Sequence, residues 1–123
     1  MPEVPEDPQR EHRIAMEIIV DAYGPEEQAL SWYSYLQDAI TFPFEGVCLA
    51  ERAISPLQIG DPVEILGMAP EEECEHEMFV EIRWGKRKLA VPLAQVQPTE
   101  AVDEKTQEAV ADWQYWVGRG YEF

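Results

Sequence analysis

At Phe42-Pro43 the hydrophobic period of this chain changes, and that switch limits the fold to helices followed by a sheet. Before it, Ala29, Trp32, Tyr33, Leu36 and Ile40 recur at i, i+3, i+4, i+7 and i+11, one stripe of an amphipathic helix. After it, Met78, Val80, Ile82 and Trp84 alternate with Phe79, Glu81 and Arg83, the period of a strand. A proline disfavours helical backbone in the residue before it, so this helix ends by Phe42 at the latest.

The same reading places the other elements. Helical spacing starts near Gln9, with Ile14, Ile18 and Ala22 on one face and Met16, Ile19, Val20 and Tyr23 broadening it. Gly24-Pro25 breaks that helix and opens the next. Val47, Leu49 and Glu51 alternate with Gly46, Cys48 and Ala50, a first strand. A turn-rich connection through Ser55–Pro62 follows, then a strand with Val63, Ile65 and Gly67 on one face. Gly85-Lys86 closes a hairpin whose return carries Leu89, Val91 and Leu93. Pro92–Val96 predicts a helical turn at the end of the sheet. Thr99 or Asp103 is the candidate N-cap of a last helix. Its apolar face is Ala109, Trp113, Trp116 and Val117, and Gly118 and Gly120 end it. The expected fold is α+β: a small SH3-like antiparallel β-barrel with two N-terminal helices and one C-terminal helix. Residues 1–8, rich in proline and acid, read as a disordered tail, and residues 9–123 as a single domain.

Charge then asks for a function. Between Arg13 and Arg83 there are fifteen Asp or Glu residues and one Lys or Arg, Arg52. Five carboxylates fall in the eight positions Pro70–Glu77. Carboxylates this crowded repel unless water, a basic partner or a cation neutralises them. The formal net charge of −16 repels nucleic acid and anionic lipid. No apolar run reaches the ~20 residues of a membrane span. The N-terminus lacks the basic and apolar regions of a secretory signal. The expectation is a cytoplasmic monomer with free thiols at Cys48 and Cys74, one intramolecular disulfide between them being the alternative.

Catalytic chemistry finds little support. His12 reads as a solvated side chain and His76, within the acidic loop, has no nucleophile beside it. There is no CxxC pair and no glycine-rich phosphate loop. A zinc site drawing on Cys48, Cys74 and His76 runs short of Cys and His ligands. Ca²⁺, which takes six to eight oxygen ligands in flexible geometry, suits loop carboxylates better. No stretch has the EF-hand pattern, so any such site is irregular.

Seven segments together carry a family resemblance that spans Arg13 to Phe123. They are Glu17-Ile18-Ile19-Val20-Asp21-Ala22-Tyr23, Trp32-Tyr33-x-Tyr35-Leu36-x-Asp38, Phe42-Pro43-Phe44, Ser55-Pro56-Leu57, Ala90-Val91-Pro92-Leu93-Ala94-Gln95, Asp112-Trp113-x-Tyr115-Trp116 and Gly120-Tyr121. In these the chain resembles the small acidic calcium-binding proteins typified by cyanobacterial CcbP, a bacterial family. The resemblance implies a protein that sequesters Ca²⁺ on a small barrel, with ion sites on its loops and at a bulge. It implies Asp38 as a ligand, and the physics agrees: a carboxylate at a helix C-terminus opposes the helix dipole, and a bound cation relieves that.

Within this framework the acidic loop offers Glu71, Glu72, Glu73, Glu75 and Glu77. The first connection of the sheet offers Glu51 and Asp61. Glu81 faces away from the hairpin's apolar side, and shares a face with Glu75 and Glu77 if its strand reaches back to Cys74. The expected function is non-catalytic Ca²⁺ binding by charge neutralisation. The alternative is an acidic interaction module docking a basic protein partner. Arg83-Trp84-Gly85-Lys86-Arg87-Lys88 stands apart as a basic tip holding four of the nine Lys and Arg residues. Trp32, Tyr33, Trp113 and Trp116 are assigned to packing between helices and sheet.

Overall fold

Local signals set the helix boundaries in the computed structural model, which describes residues 4–123. Asp7 caps α1 (Pro8–Arg13), its carboxylate accepting from Arg10 N at 3.1 Å. The helix widens into a π-helical stretch at Ile14–Ile18. That wider turn rotates the apolar face: Ile14 and Ile18 are buried, whereas Met16, Val20 and Tyr23 point to solvent. The broad face expected through Tyr23 is therefore narrower, and Asp21, at φ +64°, lies in the reversal that follows. Gly24 and Pro25 open α2 (Pro25–Ala39), which buries Ala29, Trp32, Leu36 and Ala39.

Five strands follow: β1 (Phe44–Cys48), β2 (Pro62–Met68), β3 (Phe79–Trp84), β4 (Arg87–Pro92) and β5 (Val96–Pro98). They form one antiparallel sheet in the order β4-β3-β2-β1-β5. Among the described residues no ladder joins β4 to β5, so the sheet stays open. The α+β class with an antiparallel sheet and flanking helices is as expected; the closed SH3-like barrel is not formed by this pairing. Part of the reason is that β5 has three residues and meets a helix. Gln114 of α3 (Glu104–Gly118) donates to the Val96 carbonyl at 2.6 Å.

The inward face of β1 is Phe44, Gly46 and Cys48, leaving Val47 and Leu49 half exposed. Gly46 decides this: a Cβ there would lie 2.7 Å from the Gln97 carbonyl oxygen, so β1 and β5 approach only at glycine. The β3–β4 hairpin is as expected, with Trp84 opposite Arg87 across Gly85-Lys86. The predicted turn before β5 is a 3₁₀ turn at Leu93–Gln95. Asp103 caps α3 by accepting from Thr106 N at 2.9 Å.

Helices and sheet meet on an aromatic cluster. Trp32 and Trp113 pack edge to face with centroids 5.1 Å apart, and Trp116 lies 5.5 Å from Trp113. All three are buried, as their assignment to packing requires. Beside them Asp112, fully buried, accepts from Arg10 (2.5 Å), Arg13 (2.8 Å) and the Tyr35 hydroxyl (2.6 Å). This network holds α1 against α2 and α3 and removes two cations from the balance of the acidic face. Both cysteines are buried and free. No described helix is long and apolar enough to cross a membrane. Of the expected tail, residues 1–3 lie outside the described residues; Val4 N donates to the Gly118 carbonyl at 3.3 Å.

Candidate metal centre

The acidic loop takes its shape from one buried thiol. Pro70 leads into a 3₁₀ turn at Glu71–Cys74, with Glu73 N donating to the Pro70 carbonyl at 2.9 Å. Cys74 turns inward, accepting from Phe79 N at 3.3 Å, and burial pushes its pKa up. It is thus a neutral anchor. With Cys74 in the core, Glu71, Glu72 and Glu73 are left exposed at the surface.

Facing this turn is the start of α2. Glu26, Glu27, Glu71, Glu72, Glu75 and His76 line a groove of about 840 Å³ with Ala29, Leu30, Tyr33 and Phe123. No Lys or Arg lines it. The volume far exceeds that of one ion, so a cation there would keep water among its ligands. Carboxylates at Glu26 and Glu27 are favoured by the N-terminal end of the α2 dipole. Sequence reasoning missed these two, because acids in a first helical turn read as ordinary helix starts. Only the fold brings them to the Glu71–Cys74 turn.

Tyr33 joins the groove to the sheet. Its hydroxyl donates to the Ala69 carbonyl at 2.7 Å. Burial raises its pKa, and the charges of Cys74, Glu71, Glu72 and Glu81 raise it further. Glu81 thus acts on the same phenol as the two loop carboxylates. It sits on β3 opposite Gly67, where the register slips against β2 between Ile65 and Gly67. The extra residue is Leu66, and such a bulge leaves a residue out of the ladder. Tyr33, assigned to packing from its spacing, is therefore also a wall of the groove.

The other candidates lie elsewhere. Glu77 is ion-paired with Arg52 through two hydrogen bonds of 2.7 and 3.0 Å. The strand starts at Phe79, so Glu75 and Glu77 do not share the outward face of Glu81. Asp61 Oδ2 accepts from Gln58 N at 2.9 Å and holds its own turn. Glu51 and Glu73 are exposed and outside the groove. Asp38, exposed in the last turn of α2, shares a shallow depression with Glu17, Ser34, Tyr35 and Lys105.

Among the described residues no three His, Cys, Asp or Glu side chains converge in ready metal geometry. The donors are carboxylates, hydroxyls and one imidazole, with both thiols in the core. That set fits a hard, oxygen-seeking cation such as Ca²⁺ and not a thiolate-bound metal.

A family model described as "Calcium binding", that of the CcbP proteins, matches residues 12–117. A solved structure described as "The crystal structure of Anabaena CcbP" is 44% identical with a TM-score of 0.86. Another, "Calcium binding protein in the calcium-binding form", is also 44% identical, with a TM-score of 0.85. In both cases the match covers 100% of this chain and 100% of the other. No curated protein matches the chain. With most of its length matched by the family model and its whole length by these two structures, the chain belongs to the CcbP family of calcium-binding proteins.

Proposed function

We propose that this protein binds Ca²⁺ reversibly and without catalysis, in the groove between α2 and the Glu71–Cys74 turn. The observation that carries the reading is a groove with five carboxylates and no Lys or Arg on its walls. Glu71, Glu72, Glu26 and Glu27 are the proposed ligands, with water completing the shell. Glu75 and Glu81 stand at its margins. Bound Ca²⁺ supplies positive charge, and the chain's own part is to hold repelling carboxylates near enough to share it. Because no three of them converge beforehand, binding draws the groove together. That favours a flexible ion over Mg²⁺, which demands strict octahedral geometry and dehydrates reluctantly.

Asp38 is a second proposed site, supported by Glu17 in the same depression. Lys105, which lines it too, must swing away when the ion enters. Glu51, Asp61, Glu73 and Glu77 contribute field and not coordination, since Glu77 and Asp61 already hold other partners. The bulge and the short fifth strand support reading the open sheet as a relative of SH3-like barrels. The loaded form is a cytoplasmic monomer of residues 9–123 that buffers or relays Ca²⁺, with neither nucleic acid nor membrane as a partner.

The test is calorimetry on chelator-stripped protein at physiological salt, with Mg²⁺ as control. Heat on Ca²⁺ injection that greatly exceeds the Mg²⁺ signal is expected. Equal responses to both ions would mean mere screening and sink the proposal.

A further inference from the structure

Four Lys or Arg residues form no ion pair among the described residues: Lys105, alone on α3, and three that stand together. Arg10, Arg13, Arg52, Arg83 and Arg119 all form ion pairs. Lys86, Arg87 and Lys88 form none among the described residues, despite 25 carboxylates in the chain. They crowd the tip of the β3–β4 hairpin beside Trp84, 43% exposed, whereas the other three tryptophans are buried. Unpaired cations next to a free indole make a tip suited to an acidic surface with apolar ground beneath it.

The groove is such a surface. Leu30, Ala29, Pro25 and Phe123 give it apolar ground, and its carboxylates lack cations. The tip cannot fill the groove of its own molecule. The acidic turn precedes β3 and the tip follows it, and six residues of strand hold the two roughly 20 Å apart. Contact therefore runs between copies. We propose that in the absence of Ca²⁺ the tip Trp84–Lys88 of one molecule seats in the acidic groove of a second copy, competing with Ca²⁺ for the same carboxylates.

This rests on the groove being the Ca²⁺ site. Each copy uses its tip once and its groove once, so the contact is head to tail and grows into chains or rings. The net charge of −16 on each copy opposes it. At ~0.15 M salt the Debye length is about 8 Å, so the charges of tip and groove prevail at contact. At low salt the net repulsion wins, and at high salt the contact charges are themselves screened. Association thus peaks at intermediate ionic strength.

The experiment is light scattering and sedimentation on the full chain at high concentration, in chelator and in saturating Ca²⁺. Wild type in chelator is expected to exceed its monomer mass of 14.1 kDa and to return to it in Ca²⁺. The variant Lys86→Glu/Lys88→Glu is expected to remain a monomer in both. At a dilution where wild type is itself monomeric, its calorimetric Ca²⁺ affinity should stay within about twofold of wild type, as for distant independent sites; at associating concentrations the variant should bind Ca²⁺ more tightly. A monomeric wild type in chelator, or a variant that associates equally, overturns the proposal. Tip-dependent binding to a DNA duplex without self-association overturns it in favour of an anionic polymer. Assembly lost in the variant but indifferent to Ca²⁺ removes the competition and the ion's place in the groove. Calorimetry then still tells whether Ca²⁺ binds at all.

Discussion

Tyr33 lines the groove, so its phenol should report a cation bound there. Burial, the Cys74 thiolate and the negative charges of Glu71, Glu72 and Glu81 all raise its pKa. A cation bound among those carboxylates would reverse their contribution while leaving burial unchanged. Saturating Ca²⁺ should therefore lower the titration midpoint of Tyr33, followed by NMR or by ultraviolet difference against Tyr33→Phe. A midpoint that does not move would place the ion elsewhere. Substitution divides the candidates in the same way. Glu72→Gln, or Glu26→Gln with Glu27→Gln, should weaken Ca²⁺ binding on the order of tenfold, since affinity follows the ligand charge count. Asp61→Asn should leave the isotherm alone and loosen only its turn. Asp38→Ala should remove a separate binding step. If it abolishes all heat, the groove is not a site.

At the scale of elements, what could be read from the chain depended on whether the signal was local. The period switch at Phe42-Pro43, the Gly24-Pro25 break, the Gly85-Lys86 hairpin and the Asp103 cap are each written in a few adjacent residues, and each is where expected. The π-helical stretch at Ile14–Ile18 was not legible, because its extra residue leaves no mark on composition. Nor was barrel closure, which depends on whether β5, already paired with β1, also meets β4; instead Gln114 of α3 takes its Val96 carbonyl. The acidic loop announced itself by density, yet half of its groove, Glu26 and Glu27, comes from an element some forty-five residues earlier. The Asp112 network is also invisible in the sequence. Its carboxylate is fully buried, while Arg10 and Arg13 keep about a quarter of their side chains exposed. Asp112→Ala should then cost about 3 kcal/mol, the low end for breaking a buried pair, because the orphaned arginines can reach water. Denaturant unfolding measures the loss. Ca²⁺ binding in the groove should persist in the folded fraction, since the network lies between α1, α2 and α3.

For the whole molecule, −16 of net charge is a stability problem that a bound cation would relieve in part. Self-repulsion weakens the compact state and is relieved by salt or by ligand. An ion binding only the folded state adds ~2.7 kcal/mol at a hundredfold excess over its dissociation constant. Salt alone screens without saturating, so the two effects separate in a melting experiment. The Tm should rise with NaCl gradually, and with Ca²⁺ steeply at low concentration and then along the shallow logarithm of linkage. Mg²⁺ at equal concentration should follow the salt curve. On the alkaline side the sign is set by Tyr33 and Tyr35, both raised chiefly by burial, with Asp112 adding to Tyr35. The fold favours their neutral forms, so their contribution is fully present below the unfolded tyrosine pKa of about 10 and is lost as pH rises past it. Saturating Ca²⁺ should soften that alkaline loss through Tyr33 and through Cys74, whose thiol is also held up by burial and by the charges of Glu73 and Glu71. Tyr35 faces the Asp112 network, and its share should stay the same with or without the ion. A Ca²⁺ effect on alkaline stability that survives both Tyr33→Phe and Cys74→Ala would therefore locate the bound charge away from the groove.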